Sequence, residues 1–574
     1  MSNDKSKKII LVAVNAKYIH SNPGVYSLCA CAGKRNPDAK ISTLIFTINQ
    51  DIQQVIRDIY VQDPGLVGFS CYIWNISMIK KIVTTLRKVL PDTQIWLGGP
   101  EVSYCAEEIL KQCPADGIMV GEGELTFADL VREYLLGSAG DYRQVKGIVT
   151  REFATAEAEM IPMDELPFIY RDFPKEQFDN RILYYESSRG CPYGCTYCLS
   201  SVEKQLRFKS LDKVYEELQF FLDHKVRQVK FVDRTFNSKD SHALAIWRFL
   251  KEHDNGVTNF HFEIAAETLS EEALTLITSM RPGLLRLEIG VQSTCKETLK
   301  AIRRVMDVEK CKTVAKTILE KGNVKLHLDL IAGLPGESYR RFLQSFNEIY
   351  SLHPHELQLG FLKVLKGTPI AEEAEKTGIV YETEPPYEVL FTPDISYAEL
   401  LKLKAAEEML EIYYNSGQFG RSLAILEDLF ETPYALYEAL ADFYKEKGYG
   451  ILQQSRLKRY EILLEFYETA GTGRIKDEQD WKMKECLLYD LYARENLKKR
   501  PAFAGKQTEE ERLFYRGNKQ LMFDTHVEAF TEPDGAKRYL LFDYRQRDPV
   551  TENVIVTDIT DEINERIAEH RDDN

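Results

Sequence analysis

The sequence predicts an α/β protein in three parts. These are an N-terminal Rossmann-like doubly wound sheet, a central partial (β/α)6 barrel, and a mainly helical C-terminal region with a small terminal β element. Two separate series of β-rich runs alternating with helical patterns predict the first two parts, because that alternation builds parallel sheets covered by helices. The loss of the alternation beyond about Pro386 predicts the third. A chain of 574 residues holds three or four domains at about 100–200 residues each.

In the first series the runs KIILVAV (8–14), KISTLIF (40–46), GLVGFSCY (65–72), TQIWLGG (93–99) and DGIMVGE (116–122) read as strands. Between the third and fourth, Ile76, Ile79, Ile82, Val83, Leu86 and Leu90 recur at helical spacing, and Pro91-Asp92 ends that helix. Ligands of doubly wound sheets sit at the carboxyl ends of the strands. The informative loops are therefore NAKYIHSNPG (15–24), SCYIWN (70–75), GGPE (98–101) and GEGE (121–124). No GxGxxG follows the first strand, which argues against a dinucleotide. The first part is expected over 1–140. Residues 141–180, with Pro162, Pro167 and Pro174 and no clear period, read as a linker.

The second series occupies 181–385. Its strands are ILYYESS (182–188), QVKFVD (228–233), NFHFEIA (259–265), LLRLEIGV (284–291), VKLHLDLIAG (324–333) and ELQLGFLKVL (356–365). Chemistry on such a barrel belongs at the strand C-termini. From 386 to 574 helical patterns dominate, until THVEAF (525–530), KRYLLFDYR (537–545) and NVIVTDI (553–559) read as strands, the first two joined by the turn EPDG.

A content of 44% hydrophobic and 28% charged residues excludes a disordered chain. No apolar run approaches the roughly 18 residues needed to cross a bilayer. Met1–Lys8 is polar and lacks the apolar stretch of a secretory signal, so a cytoplasmic protein is expected. A net charge of −15 argues against non-specific binding to nucleic acid or anionic membrane.

The strongest chemical signal is SSRGCPYGCTYCLS (187–200). Cys191, Cys195 and Cys198 are three of 11 cysteines, and their CxxxCxxC spacing on a glycine-containing loop can wrap one face of a [4Fe–4S] cluster. Full ligation takes four thiolates, so one iron is left open. A tetrahedral zinc site would need a fourth Cys or His close by, and none lies within about twenty residues.

This loop resembles the signature of the radical SAM superfamily, CxxxCxΦC, with Tyr197 at the aromatic position. The resemblance implies that S-adenosylmethionine (SAM) chelates the open iron and is cleaved reductively to methionine and a 5′-deoxyadenosyl radical, with Tyr197 near the adenine and a reductase such as flavodoxin or ferredoxin supplying the electron. The later strands resemble the coproporphyrinogen-dehydrogenase and Elongator-like branch. That likeness implies SAM contacts from Glu263 in HFEIAAE, Gln292 in IGVQS, Arg304 twelve residues further on, and Asp329 in DLIAGLPGE. Carboxylates can bind ribose hydroxyls or the amino group, and an arginine can form a bidentate pair with a carboxylate. The chain departs from the branch in carrying DRTFN (233–237) where GGE is usual, and in having Arg303 beside Arg304.

The N-terminal sheet ahead of such a core resembles the cobalamin-binding domain of B12-dependent radical SAM enzymes, in the subgroup with a C-terminal domain of unknown function. The cobalamin contacts it implies come from the strand-end loops: Tyr18, His20, Ser70, Tyr72, Trp74, Gly98, Gly99, Pro100, Glu101, Gly121, Glu122 and Gly123. Tyr72, Ile73 and Trp74 can floor the corrin, and glycine amides can meet its amide rim. Glu101, Glu122 and Glu124 can bond SAM or corrin amides, or cap the following helices. His20 lacks the DxHxxG context of cobalt-ligating histidines and reads as a hydrogen-bonding loop residue.

The C-terminal runs RLKRY (456–460), RIK (474–476), NLKKRPAFAGK (496–506) and RLFYRGNK (512–519) interleave bases with aromatics. They suit either a phosphate-binding face, with tRNA as a partner, or solvated helix faces. The resemblance implies a cobalamin-dependent radical SAM methyltransferase whose C-terminal region closes over the cleft and recognises substrate. The alternatives are a non-methylating reduction or rearrangement, on a modified tRNA nucleoside for example, and a non-catalytic cobalamin-binding protein.

Overall fold

The computed structural model describes residues 8–137, 141–171, 181–450, 454–470, 477–516, 519–532 and 535–572. Pro174, the basic run 474–476, residues 517–518 and the centre of the EPDG turn lie outside the described residues.

The first sheet orders its strands β2-β1-β3-β4-β5-β6, where β1 is Lys8–Asn15, β2 Lys40–Thr47, β3 Leu66–Ser70, β4 Gln94–Gly98, β5 Gly117–Met119 and β6 Ile148–Thr150. The first five are parallel. The unbroken apolar run Ile9–Val14 is fully buried because helices cover both faces of the sheet. The expected helix runs Ile76–Val89 and turns Ile76, Ile79, Ile82, Val83 and Leu86 inward. Strand β6 corrects the linker reading, since Ile148–Thr150 lies within 141–180 yet pairs antiparallel with β5 through Met119 and Ile148. Three residues are too few to display a period.

The second sheet is wholly parallel, in the order β14-β13-β12-β11-β10-β7. Its strands are β7 Ile182–Tyr185, β10 Gln228–Phe231, β11 Asn259–Glu263, β12 Leu285–Gln292, β13 Lys325–Ala332 and β14 Glu356–Phe361. Between β7 and β10 a two-residue antiparallel ribbon, β8 (Ser188–Arg189) with β9 (Arg207–Phe208), brackets the cysteine loop. In β12, Leu285, Leu287, Ile289 and Val291 are buried and alternate with partly exposed Arg286, Glu288, Gly290 and Gln292. The alternation puts charge on the concave face, where Lys230 Nζ lies 3.1 Å from Glu288 and 3.7 Å from Glu263. A closed barrel would fill that space with branched apolar side chains.

The open edge of β14 is covered by one amide. Asn415 accepts from Leu357 N and donates to Leu357 O, both at 2.9 Å, from a widened helical turn at Leu410–Asn415. Pairing the edge removes a template for unwanted strand addition. The C-terminal helices share one core with the barrel: Leu400, Leu403, Tyr413, Leu426, Tyr437, Leu463 and Leu491 belong to the same cluster as the barrel strands. A three-stranded antiparallel sheet, Thr525–Thr531, Lys537–Arg547 and Val554–Asp558, follows. Among the described residues no helix is long and apolar enough to cross a membrane.

Candidate active site

The cysteine loop is pinned at its root. Ser187 N, Ser187 Oγ and Ser188 Oγ all donate to the buried Asp233 carboxylate, at 3.0, 2.6 and 2.5 Å. Burial raises the Asp233 carboxyl above its usual range despite these bonds. Gly190 follows with φ +92°, and a Cβ there would stand 2.4 Å from Gln205 O, so only glycine turns the chain into the loop.

Cys191, Cys195 and Cys198 line a cavity of 190 Å³ together with Tyr197, Glu263, Gln292, Arg304 and Asp329, so the structure brings the whole predicted cluster and SAM set to one cleft. Among the described residues no three Cys, His, Asp or Glu side chains converge as a single ion requires. A [4Fe–4S] cluster asks instead for one thiolate per iron from donors spread along a wall. Thr235 Oγ1 lies 3.8 Å from Cys191 Sγ, and Arg304 Nη1 donates to Cys195 Sγ at 3.7 Å. Burial raises the Cys195 thiol, and the Arg304 charge opposes the rise.

The donor set fits a zwitterionic ligand. Gln292 Oε1, Glu267 Oε2 and Arg304 Nε are buried without a hydrogen-bond partner among the described residues. Buried polar atoms are nearly always paired, so such atoms facing a cleft mark a ligand's place. Gln292 holds φ +69° at a bulge in β12, and a Cβ on Gly290 would meet its amide at 2.1 Å. Arg304 also donates to Gly290 O. Arg303 faces outward, exposed, 3.4 Å from Glu373. Glu267 went unremarked in the sequence although it sits in the quoted HFEIAAE; a lone acidic residue after a strand carries no distinguishing spacing.

A second cavity, of 530 Å³, lies at the C-terminal ends of the first sheet, where the barrel faces it. Ser70, Tyr72, Gly98, Gly99, Pro100, Gly121, Glu122 and Gly123 line it as expected. Gly99 has φ +115°, and a Cβ would be 2.5 Å from Cys71 O, so the GGP turn admits only glycine there. Phe69, Met119 and Val120 supply apolar wall. The mixture of small, apolar and amide surface suits a large ligand with an apolar face and an amide rim.

Tyr18, His20, Trp74 and Glu101 do not line this cavity. The first loop turns away to join the barrel. Ile182 N donates to Ile19 O at 2.9 Å, and His20 Nδ1 lies 2.8 Å from the Tyr184 hydroxyl. Tyr18 is 71% exposed beneath the Arg181 guanidinium. Trp74 stacks on Tyr72 at 4.4 Å and donates to Val14 O at 3.1 Å, so it backs the floor from behind. Glu101 is buried and accepts from Tyr387, and burial raises its carboxyl.

Glu122 and Glu124 meet two arginines that no motif or spacing singles out. Arg189 lies 3.2 Å from Glu122, 2.6 Å from Glu124 and 2.9 Å from Glu186, while Arg207 pairs with Glu122 and, at 2.8 Å, with Glu203. Both arginines sit on the ribbon bracketing the cysteine loop, so these ion pairs lock the first sheet to it. Ser200 and Arg234 line both cavities, which therefore share a wall. Among the described residues none beyond Asp329 lines either cavity, and the C-terminal helices share the core of the barrel. In its basic runs Arg500 is held by Glu528 at 2.7 and 2.5 Å.

Comparison with known proteins matches the B12 binding domain over residues 9–131, the radical SAM superfamily over 185–349 and the protein of unknown function DUF4080 over 375–546. The 2-(S-pantetheinyl)-carbapenam-3-carboxylate methyltransferase of Streptantibioticus cattleyicolor is 26% identical over 360 residues, covering 57% of this chain and 50% of that protein. The cobalamin-dependent radical SAM methyltransferase TokK of Streptomyces tokunonensis is 25% identical, over 56% of this chain and 50% of its own length. The chain thus spans about half the length of each of these relatives. The cobalamin-dependent SAM radical enzyme OxsB, solved with aqua-cobalamin and SAM, shares the fold with a TM-score of 0.58 at 16% identity, over 84% of this chain and 83% of that one. The chain thus carries, in this order, a B12-binding domain, a radical SAM domain and the C-terminal domain of unknown function.

Proposed function

We propose that this protein is a cobalamin-dependent radical SAM enzyme transferring a methyl group to an unactivated carbon. The observation that carries the reading is the wall shared by the two cavities, at Ser200 and Arg234, which sets them side by side. With a [4Fe–4S] cluster, SAM and methylcobalamin bound, the cleft supplies a hydrogen-abstracting radical and the second cavity a methyl donor.

Cys191, Cys195 and Cys198 would hold the cluster, and the Arg304 guanidinium beside Cys195 would favour the thiolate form. Arg304 would also pair with the SAM carboxylate, while Gln292, Glu263, Glu267 and Asp329 offer acceptors for its amino and ribose groups. Tyr197, half-buried within the loop, would pack against the adenine. Tyr72, backed by Trp74, would floor the corrin, and the glycines at 98, 99, 121 and 123 would let backbone amides approach its rim. The ribbon ion pairs would hold the two cavities beside each other. The electron would come from a flavodoxin- or ferredoxin-class reductase in the cytoplasm.

The test is anaerobic turnover with methyl-labelled SAM over a cell extract of metabolites and RNA, read by mass spectrometry. A labelled product together with 5′-deoxyadenosine supports methyl transfer. Deoxyadenosine with an unlabelled product refutes it in favour of a reduction or rearrangement, and labelled RNA would identify tRNA as the substrate.

A further inference from the structure

Asp233-Arg234-Thr235-Phe236-Asn237 follows β10 and enters the helix Asp240–Glu252. Four of its five side chains are committed. Asp233 takes the three Ser187 and Ser188 donors. Thr235 Oγ1 donates to Arg234 O at 2.8 Å and lies beside Cys191. Phe236 is buried against Phe231 and Phe262. Asn237 accepts from Ala265 N at 2.9 Å and donates to Ala265 O at 2.8 Å.

The segment is thus clamped at both ends, to β8 and to the end of β11, with the fifth side chain projecting. Arg234 is exposed, lines both cavities, and makes no side-chain hydrogen bond or ion pair to the described residues. The other guanidiniums lining these cavities are engaged, Arg189 by three carboxylates and Arg304 by Gly290 O and Cys195. The carboxylates of the second cavity, Glu122, Glu124, Glu186 and Glu203, are all paired with Arg189 or Arg207. In the first cavity the Arg234 charge acts on the Glu263 carboxylate, which lies 3.7 Å from Lys230, without forming an ion pair, so the guanidinium on the shared wall has no direct partner among the described residues.

We infer that Arg234 anchors the substrate, and that the substrate is an anion whose carboxylate or phosphate takes the planar guanidinium fork and thereby places its reacting carbon between the two cavities. The inference rests on the proposed two-cofactor reaction. A fork fixed at its root and free at its tip fits such an anion, because no internal pair must be broken for the ligand to bind. A free SAM carboxylate is the other source of the same chemistry, and Arg304 stands nearer the cysteine thiols to receive it.

The test uses the full chain reconstituted with cluster and cobalamin, titrated calorimetrically with inorganic phosphate. Saturable binding is expected in the wild type, at least tenfold weaker in Arg234→Gln and largely retained in Arg234→Lys, with SAM affinity equal in all three. Equal phosphate binding by Arg234→Gln, or none by the wild type, overturns the anion site. A tenfold loss of SAM affinity in Arg234→Gln overturns the substrate assignment and gives the charge to SAM. The methyl-labelled product of the extract should be retained by an anion exchanger at neutral pH, and a neutral product overturns the inference. Phosphate held at Arg234 by a chain that fails to load cobalamin would retain the site and remove the methyl-transfer reading, so the two fail separately.

Discussion

Arg189→Met removes the cation that holds Glu124 while keeping most of the side-chain volume. In the native interface Arg189 is 15% exposed and Glu124 7%, with 2.6 Å between them. Once the guanidinium is gone, Glu124 retains Ser27 Oγ, at 3.0 Å, and its own backbone amide, but no cation. Glu122 keeps Arg207, and Glu186, at 31% exposed, can turn to water. The dominant cost is therefore one buried, uncompensated carboxylate, for which breaking a buried pair predicts about 3–5 kcal/mol. At about 1.4 kcal/mol per tenfold, the lower end makes opening of this interface about a hundredfold more populated.

Amide hydrogen exchange reads that opening directly. Peptides spanning 121–126 and 187–190 should exchange about a hundredfold faster, with β1 unchanged. Adding Glu124→Gln should recover most of the loss, because no buried charge is then stranded. The pH dependence reverses in sign. In the wild type, burial alone would raise the Glu124 carboxyl, but the charge and hydrogen bond of Arg189, with Ser27, outweigh it and hold the group below the usual range. Its contribution is therefore full above the unfolded carboxylate value and lost as pH falls through the depressed one. In Arg189→Met burial is opposed only by the backbone amide and Ser27, the folded value rises above the unfolded one, and the penalty present at neutral pH is relieved as pH falls through it. Exchange within threefold of the wild type at pH 7, or a penalty that does not shrink on acidification, would refute the assignment of this pair as the interface lock.

Four further outcomes are expected. Replacing Cys191, Cys195 and Cys198 together by Ala abolishes iron loading and SAM cleavage after anaerobic reconstitution; full iron content in that variant would assign the cluster to other cysteines. Electron paramagnetic resonance of the Co(II) form shows no nitrogen splitting from the protein, because among the described residues no histidine lines the second cavity and His20 is engaged with Tyr184; a triplet that vanishes in His20→Ala would return His20 to cobalt. Arg304→Ala weakens SAM binding about ten- to a hundredfold, the loss of a charge-assisted pair, whereas Arg303→Ala changes it little, and equal effects would sink the register. Truncation at residue 390 yields no soluble cofactor-binding fragment, because Leu400, Leu403, Tyr413 and Tyr437 are fully buried in the core they share with the barrel, each at about 1.5–3 kcal/mol of burial; a stable, cobalamin-loaded fragment would contradict that shared core.

What the sequence determined by itself is what lies within short windows. The run Ile9–Val14 marks a two-sided buried strand, the spacing from Ile76 to Leu86 a helix face, and CxxxCxxC a cluster loop, because period and spacing survive without knowledge of the distant chain. The SAM set was implied by the family resemblance: Glu263 and Gln292 end β11 and β12, Asp329 lies within β13 and Arg304 follows the helix Lys296–Ala301, and the fold brings all four to one cleft. Tertiary structure decided the rest, because it depends on pairs that no window contains. Arg189 meets Glu124 across 65 positions and Tyr387 meets Glu101 across 286. Loop composition alone made Tyr18, His20, Trp74 and Glu101 resemble their cavity-lining neighbours, while the direction each side chain takes is set by what packs behind it. The same holds for Arg234: its sequence context shows only a basic residue after a strand, and its meaning comes from four neighbouring side chains that are each satisfied elsewhere, leaving one charge unpaired where two cavities meet.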